Sequence, residues 1–124
     1  MQQIAQRFLG SDRTPVSAIG LGCMGISEFY GASDDSESLK TLARALELGV
    51  NFFDSADTYG TGHNETLIGK FIKMGGPARQ SQMVIATKFG IVREAGKYER
   101  RIDNSRLCAQ RVRGVIAAAG RGLH

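Results

Sequence analysis

The sequence holds no tryptophan, and only two cysteines, two prolines and two histidines in 124 residues. Cys23 and Cys108 offer no disulfide framework, and with His63 and His124 they give no zinc-ligand spacing. A reduced, cytoplasmic setting without a metal is the expectation. No apolar run approaches the roughly 20 residues that cross a bilayer, and no signal-peptide pattern is read at the start. Acids are absent from one region. Residues 106–124 contain Arg106, Arg111, Arg113 and Arg121 and no Asp or Glu, whereas residues 1–105 balance 12 basic with 12 acidic side chains. The net charge of +4 therefore belongs to the tail. The remainder, 42% apolar and 23% charged, is ordinary for one small globular domain.

Residues 6–19 place a Gly10-Ser11-Asp12 turn between two extended pieces and predict a β-hairpin. Ile19-Gly20-Leu21-Gly22 predicts a short strand, and Cys23-Met24-Gly25 a loop. The glycines at 20, 22 and 25 miss the G-x-G-x-x-G spacing, and no helix opens at once after them, which argues against a Rossmann fingerprint. Ser33 to Leu48 predicts a helix. Asp34 with Glu37 forms a capping-box pair, Leu39, Leu42, Ala43 and Leu46 make one apolar stripe, and Gly49 stops it. Val50-Asn51-Phe52-Phe53 reads as a buried strand that delivers Asp54 at its end, with Tyr59 on the loop beyond. Asn64 is the expected cap of a second helix whose buried face is Leu67, Ile68, Phe71 and Ile72, terminated by Gly75-Gly76-Pro77. Met83 to Phe89 reads as a third strand with Lys88 near its end, and Gly90 to Asp103 as a polar, charged loop. The alternation of strand and helix predicts a parallel α/β sheet.

Side chains at the carboxyl ends of parallel strands face the functional crevice. Gly22-Cys23-Met24, Asp54 with Tyr59, and Lys88 all fall there. A phenol can hand a proton to a carbonyl oxygen, a nearby ammonium stabilises the phenolate left behind, and a carboxylate keeps the ammonium charged and oriented. Taken one at a time the bland readings compete: Asp54 as a turn former, Tyr59 as packing, Lys88 as a solvated cation. Lys88 ending an apolar strand tips the balance. Cys23 reads as a small buried residue, and His63 as a loop or first-turn residue.

Phe53-Asp54-Ser55-Ala56-Asp57-Thr58-Tyr59-Gly60, then Asn64-Glu65, then Ala86-Thr87-Lys88-Phe89-Gly90 resemble the aldo-keto reductase family, as does Gly20-Leu21-Gly22-Cys23-Met24-Gly25. The resemblance covers residues 6–105. It implies a (β/α)8 TIM barrel with a hairpin closing its bottom, of which this chain carries the hairpin and three strands, an incomplete barrel. It further implies NADPH-dependent reduction of aldehydes and ketones to alcohols. Tyr59 would be the general acid, Lys88 would ease its deprotonation and Asp54 would pair with Lys88. Gly22, Cys23, Met24 and Asp54 would lie near the nicotinamide-ribose end of the cofactor. The family's fourth catalytic residue is a histidine ending the fourth strand; His124 follows Gly122-Leu123 and takes no such role.

Residues 106–124 depart from this pattern and show no amphipathic face. One permitted choice of codons for them, preceded by two cytosines and read in the shifted frame, encodes PDYVRSACEASLRRLGVDY. That segment would give Ser105 a helix-capping role with proline at the first helical position, and it resembles the family's third helix. The expectation is an N-terminal portion of an aldo-keto reductase barrel over 1–105 and an out-of-frame basic tail over 106–124, with little activity in this chain alone. Two other readings stand beside it: a non-enzymatic truncated product, or a binding module whose basic tail meets an acidic partner. Nucleic acid is disfavoured as that partner, because reading frame accounts for the charge.

Overall fold

The computed structural model describes residues 3–28, 31–90, 92–94 and 97–99. Strands β1 (Gln6–Leu9) and β2 (Thr14–Ser17) form the predicted hairpin, antiparallel with Gln6 opposite Ser17 and Leu9 opposite Thr14. Its turn closes through Arg13 N–H donating to the Gly10 carbonyl at 3.3 Å, with Gly10 at φ 65°, a conformation that glycine adopts without a Cβ penalty. Asn51 fixes the hairpin to the rest of the fold. Its Oδ1 accepts from Ser17 N–H at 2.6 Å, its own N–H donates to Ser17 Oγ at 3.1 Å, and its Nδ2 donates to the Pro15 carbonyl at 3.3 Å.

Strands β3 (Leu21–Gly22), β4 (Phe52–Asp54) and β5 (Val84–Ala86) make one parallel sheet in the order β3-β4-β5. Gly22 is level with Asp54, and Asp54 with Ala86, so all three strands end at one height. The crossovers carry helices α1 (Asp35–Glu47) and α2 (His63–Gln82). Asp34 caps α1 as predicted, its Oδ1 accepting from Ser36 N–H at 2.7 Å and Glu37 N–H at 3.4 Å, a contribution of about 1 kcal/mol. The Glu37 carboxylate takes the Lys40 ammonium at 2.6 Å. Leu42 is wholly buried, with Leu39, Ala43 and Leu46 at its margins. From α2, Leu67, Ile68, Phe71 and Ile72 close over Phe53, which has no exposed surface. Both predicted apolar stripes therefore lie on one face of the sheet.

Three expectations need correction. The residue capping α2 is Gly62 at φ 98°, and Asn64 lies inside the helix, fully buried. The tight Tyr59–Gly62 turn before it runs through left-handed backbone at Gly60 and Thr61, which brings the chain into helix two residues early. The Gly75-Gly76-Pro77 signal ends the first part of α2 as expected: Gly76 leaves helical geometry at φ 66°, ψ −162°, and a second helical stretch runs on from Pro77 to Gln82. Proline tolerates the first position after such a break because that N–H needs no partner. Arg79 folds back over the kink, donating to the Phe71 carbonyl at 2.7 Å with its guanidinium 4.1 Å from the Phe71 ring centroid.

The third strand is shorter than 83–89. It stops at Ala86 because β4 leaves the sheet after Asp54; beyond it, Asp57 N–H still reaches the Lys88 carbonyl at 3.0 Å, as a loop contact. Lastly, within the segment read as a polar loop, β6 (Val92–Glu94) and β7 (Lys97–Glu99) pair antiparallel. Val92 and Tyr98 flanking Ala95-Gly96 are a hairpin signal that the surrounding charges obscured. The tail 106–124 lies outside the described residues.

Candidate active site at the strand ends

The strand ends bring Asp54, Tyr59 and Lys88 together. Asp54 is the last residue of β4, Lys88 stands two residues past β5, and Tyr59 opens the turn that leads into α2. The Lys88 ammonium donates to both Asp54 oxygens, at 2.9 and 2.8 Å, and to the Ser55 carbonyl at 2.7 Å. It also stands 5.2 Å from the centroid of the Tyr59 ring. Desolvation pulls the ammonium down, but the Asp54 carboxylate, as acceptor and as opposite charge, outweighs it together with Tyr59. Lys88 therefore titrates above the ordinary lysine range. About half of the Lys88 and Asp54 side chains is exposed, so the pair is a wet one, suited more to holding a charge in place than to stabilising the fold.

The residues expected at the cofactor occupy the neighbouring strand end. Gly22 ends β3 level with Asp54, and a Cβ there would meet no atom within 4 Å. Both line an open groove of about 380 Å³ whose other wall is the hairpin, with Arg7, Leu9, Val16 and Ser17; Tyr59 and Lys88 do not line it. Met24 begins a single 3₁₀ turn and is part-buried. The Cys23 thiol points into the core with no exposed surface, while its backbone N–H donates to the Asp54 carbonyl at 2.8 Å.

Burial first, and the Asp54 charge second, push the Cys23 thiol from 9.0 up to about 12. A thiol so placed is no nucleophile. The unfolded chain releases this proton near 9 and the folded chain holds it. The stability gained is thus complete below about 9 and is lost as pH rises towards about 12. Lys88, also raised, acts in the same direction. In a Cys108→Ser background, the urea midpoint is expected to fall across that alkaline window, and less steeply once Cys23→Ala removes the thiol. Equal slopes in the two proteins would show that the thiol is not the source.

Around this centre lies a polar layer that sequence reasoning missed. Asn64 Nδ2 donates to the Cys23 carbonyl at 2.6 Å and to Ser27 Oγ at 2.9 Å, and Asn64 Oδ1 accepts from Ser55 Oγ at 2.7 Å. Ser27 Oγ is 2.7 Å from His63 Nδ1, and His63 Nε2 is 2.7 Å from Asp35 Oδ1. His63 is thus the first-turn residue of α2 that was expected, tied to the start of α1. Glu65 is buried and accepts from Thr87 Oγ1 at 2.5 Å. Burial raises its carboxyl, the Thr87 hydroxyl opposes that, and Asp57 adds to it. A signal did exist: Asn64 stands three and four residues before Leu67 and Ile68, and Glu65 three and seven before Ile68 and Ile72. Both polar side chains therefore share the buried stripe. Among the described residues, no group of three or more His, Cys, Asp or Glu could hold a metal ion, and no helix is long and apolar enough to cross a membrane.

Residues 18–113 match the family described as the aldo/keto reductase family. Over 101 residues the chain is 40% identical to the "Aldo-keto reductase yakc [NADP(+)]" of Schizosaccharomyces pombe, covering 82% of this chain and 28% of that protein. The fold superposes on an aldo-keto reductase of Bacillus halodurans, solved in its holo form, with a TM-score of 0.78 and 31% identity, covering 96% of this chain and 37% of that one. A glycerol dehydrogenase of Gluconobacter oxydans, 22% identical over 94% of this chain and 36% of its own, shares the fold with a TM-score of 0.75. The chain thus spans between about a quarter and two fifths of the length of these relatives.

Proposed function

This chain belongs to the aldo/keto reductase family, and from that premise we propose that its strand-end site serves the NADPH-dependent reduction of aldehydes and ketones to alcohols. Its fold is the N-terminal part of a (β/α)8 barrel, and its class of chemistry is oxidoreduction. The observation that carries the proposal is the Lys88 ammonium, held by Asp54 and the Ser55 carbonyl while it stands over the Tyr59 ring.

The chain's own residues account for the proton. As negative charge develops on a substrate carbonyl oxygen, the Tyr59 hydroxyl gives up its proton to that oxygen. The Lys88 ammonium stabilises the charge left on the phenol oxygen. Asp54, engaging the ammonium through both of its oxygens, keeps it charged and aimed. NADPH, when bound, would supply the hydride. Gly22 and Asp54 suit the nicotinamide-ribose end of that cofactor, because no atom stands within 4 Å of where a Gly22 Cβ would lie and Asp54 offers acceptor oxygens. Cys23 and Met24, next in the chain after Gly22, are assigned to the same end by the resemblance of the site motifs. The choice of NADPH rests on the name of the Schizosaccharomyces pombe relative and on the resemblance of the site motifs. The free, buried Cys23 suits a reducing, cytoplasmic setting.

Because the chain covers 28% of that relative, the 124 residues by themselves are expected to turn over no carbonyl. The test joins residues 1–105 to the part of the Schizosaccharomyces pombe protein that follows its match, and measures aldehyde-dependent NADPH oxidation. Turnover in the chimera, and none in the chain alone, is the expected pattern. A folded chimera that binds NADPH yet stays inert would overturn the catalytic reading. We further propose that residues 106–124 are read out of frame; genomic sequence beyond codon 105 that encodes no further βα units in another frame would end that idea.

A further inference from the structure

Asn64 is a fully buried amide with three side-chain hydrogen bonds, and it joins two loops that both border the site. Its Nδ2 holds the Cys23 carbonyl, in the loop after β3, at 2.6 Å, and its Oδ1 holds the Ser55 hydroxyl, in the loop after β4, at 2.7 Å. Ser27 Oγ, at 2.9 Å, takes the second amide hydrogen. Ser55 is fixed from every side that it offers. Its side chain is held by Asn64, its N–H donates to the Ala86 carbonyl at 2.8 Å, and its own carbonyl accepts the Lys88 ammonium at 2.7 Å. Only 1% of Ser55 is exposed, against about half of Asp54 and Lys88.

We propose that Asn64 and Ser55 are positioning residues for Lys88: the amide locks the Ser55 backbone so that its carbonyl forms a rigid third acceptor for the ammonium. The physical need is clear. A lysine side chain has a long, flexible stem and a compact charge without directional preference. Two of its three acceptors sit on Asp54, a side chain that is itself half in water. An ammonium held by Asp54 alone could swing with it. The Ser55 carbonyl is backbone, buried and cross-linked to the neighbouring strand end, so it supplies the fixed point that sets where the charge stands relative to Tyr59. The Ser27–His63–Asp35 chain extends the network away from Lys88. Its serine oxygen already accepts from Asn64, and the nearby Ile26, Ser27 and Glu28 N–H groups donate within their own turn, so these described residues offer no free donor pair for an oxyanion.

The inference rests on the proposed role of Lys88, but its test uses neither NADPH nor turnover. Competitive acetylation of the 124-residue chain, read by mass spectrometry, compares Lys88 with Lys70 and Lys73 on the exposed side of α2. In the native sequence Lys88 is expected to label more slowly than either reference lysine, because Asp54 holds its amine protonated. Ser55→Ala, which deletes one oxygen, and Asn64→Ala are each expected to raise the relative rate about threefold. Leu42→Val, which loosens the core without touching this network, should leave the ratio unchanged. An unchanged ratio in folded Ser55→Ala overturns the proposal. So does equal labelling of Lys88 and the reference lysines in the native chain, a result that stands even if both variants fail to fold. An inert chimera with the expected labelling pattern would instead refute the catalytic reading and leave the positioning intact.

Discussion

Tyr59→Phe is expected to lower aldehyde reduction in the chimera by about 10²- to 10⁴-fold, the range that a positioned general acid contributes, while NADPH binding and folding persist. The substitution removes one oxygen and keeps the ring. Tyr59 is only part-buried, and its ring remains 5.2 Å from the Lys88 ammonium, so the cation keeps an aromatic face to rest on. What disappears is the hydroxyl proposed to pass its proton to the carbonyl oxygen. The loss should fall on kcat and on kcat/KM together, because the proton moves only in the transition state. Cofactor affinity, read from nicotinamide fluorescence, should change little. A Tyr59→Phe chimera with undiminished turnover would remove Tyr59 from the mechanism and leave Lys88 and Asp54 as a structural pair.

Phe53→Ala should have the largest effect on stability, about 3–5 kcal/mol by comparison with other buried phenylalanines cut to alanine. Phe53 has no exposed surface and occupies the middle strand of the three, packed among Leu42 of α1, Ile68 and Phe71 of α2, and Cys23. Both helices close on this one ring, so neither can collapse into the space it leaves without giving up its contacts with the other. Small domains are stable by only about 5–15 kcal/mol, so this single truncation consumes much of the margin. Urea unfolding followed by circular dichroism measures it. A loss under about 1 kcal/mol would mean that the site had repacked and that Phe53 is not the centre of the core.

The parts of this fold that could be read from the sequence are those governed by periodicity. Leu42, Leu67, Ile68, Phe71 and Ile72 repeat at helical spacing because they face one sheet, and the Asp34 cap and the Gly10-Ser11-Asp12 turn follow from side-chain and backbone chemistry confined to a few residues. The meeting of Asp54, Tyr59 and Lys88 was legible for a different reason: strands that run parallel must end on the same side, so residues 34 positions apart, Asp54 and Lys88, become neighbours. What stayed hidden depended on partners that spacing does not reveal. Asn64 looks like a helix cap because asparagine often is one, and only the left-handed turn at Gly60, Thr61 and Gly62 moves the helix start ahead of it. Ser55 and Ser27 are small polar residues in loops, and nothing local marks them as acceptors or donors for one buried amide. The pairing of β6 with β7 was missed because charged residues dominate the segment's composition.

Strand β4 joins two tasks at its opposite ends. Asn51, just before it, clamps the β1–β2 hairpin, and Asp54, its last residue, clamps Lys88. At about 3.3 Å of rise per strand residue, the two clamps lie on the order of 10 Å apart on a single stiff rod. Mechanically this is a lever with a short arm. Only Phe52 and Phe53 separate the two clamps, so a displacement of the hairpin has few backbone torsions in which to dissipate before it reaches Asp54. A reporter group placed on the exposed hairpin turn, far from Lys88 in sequence, is expected to sense a change in how the Lys88 ammonium is held.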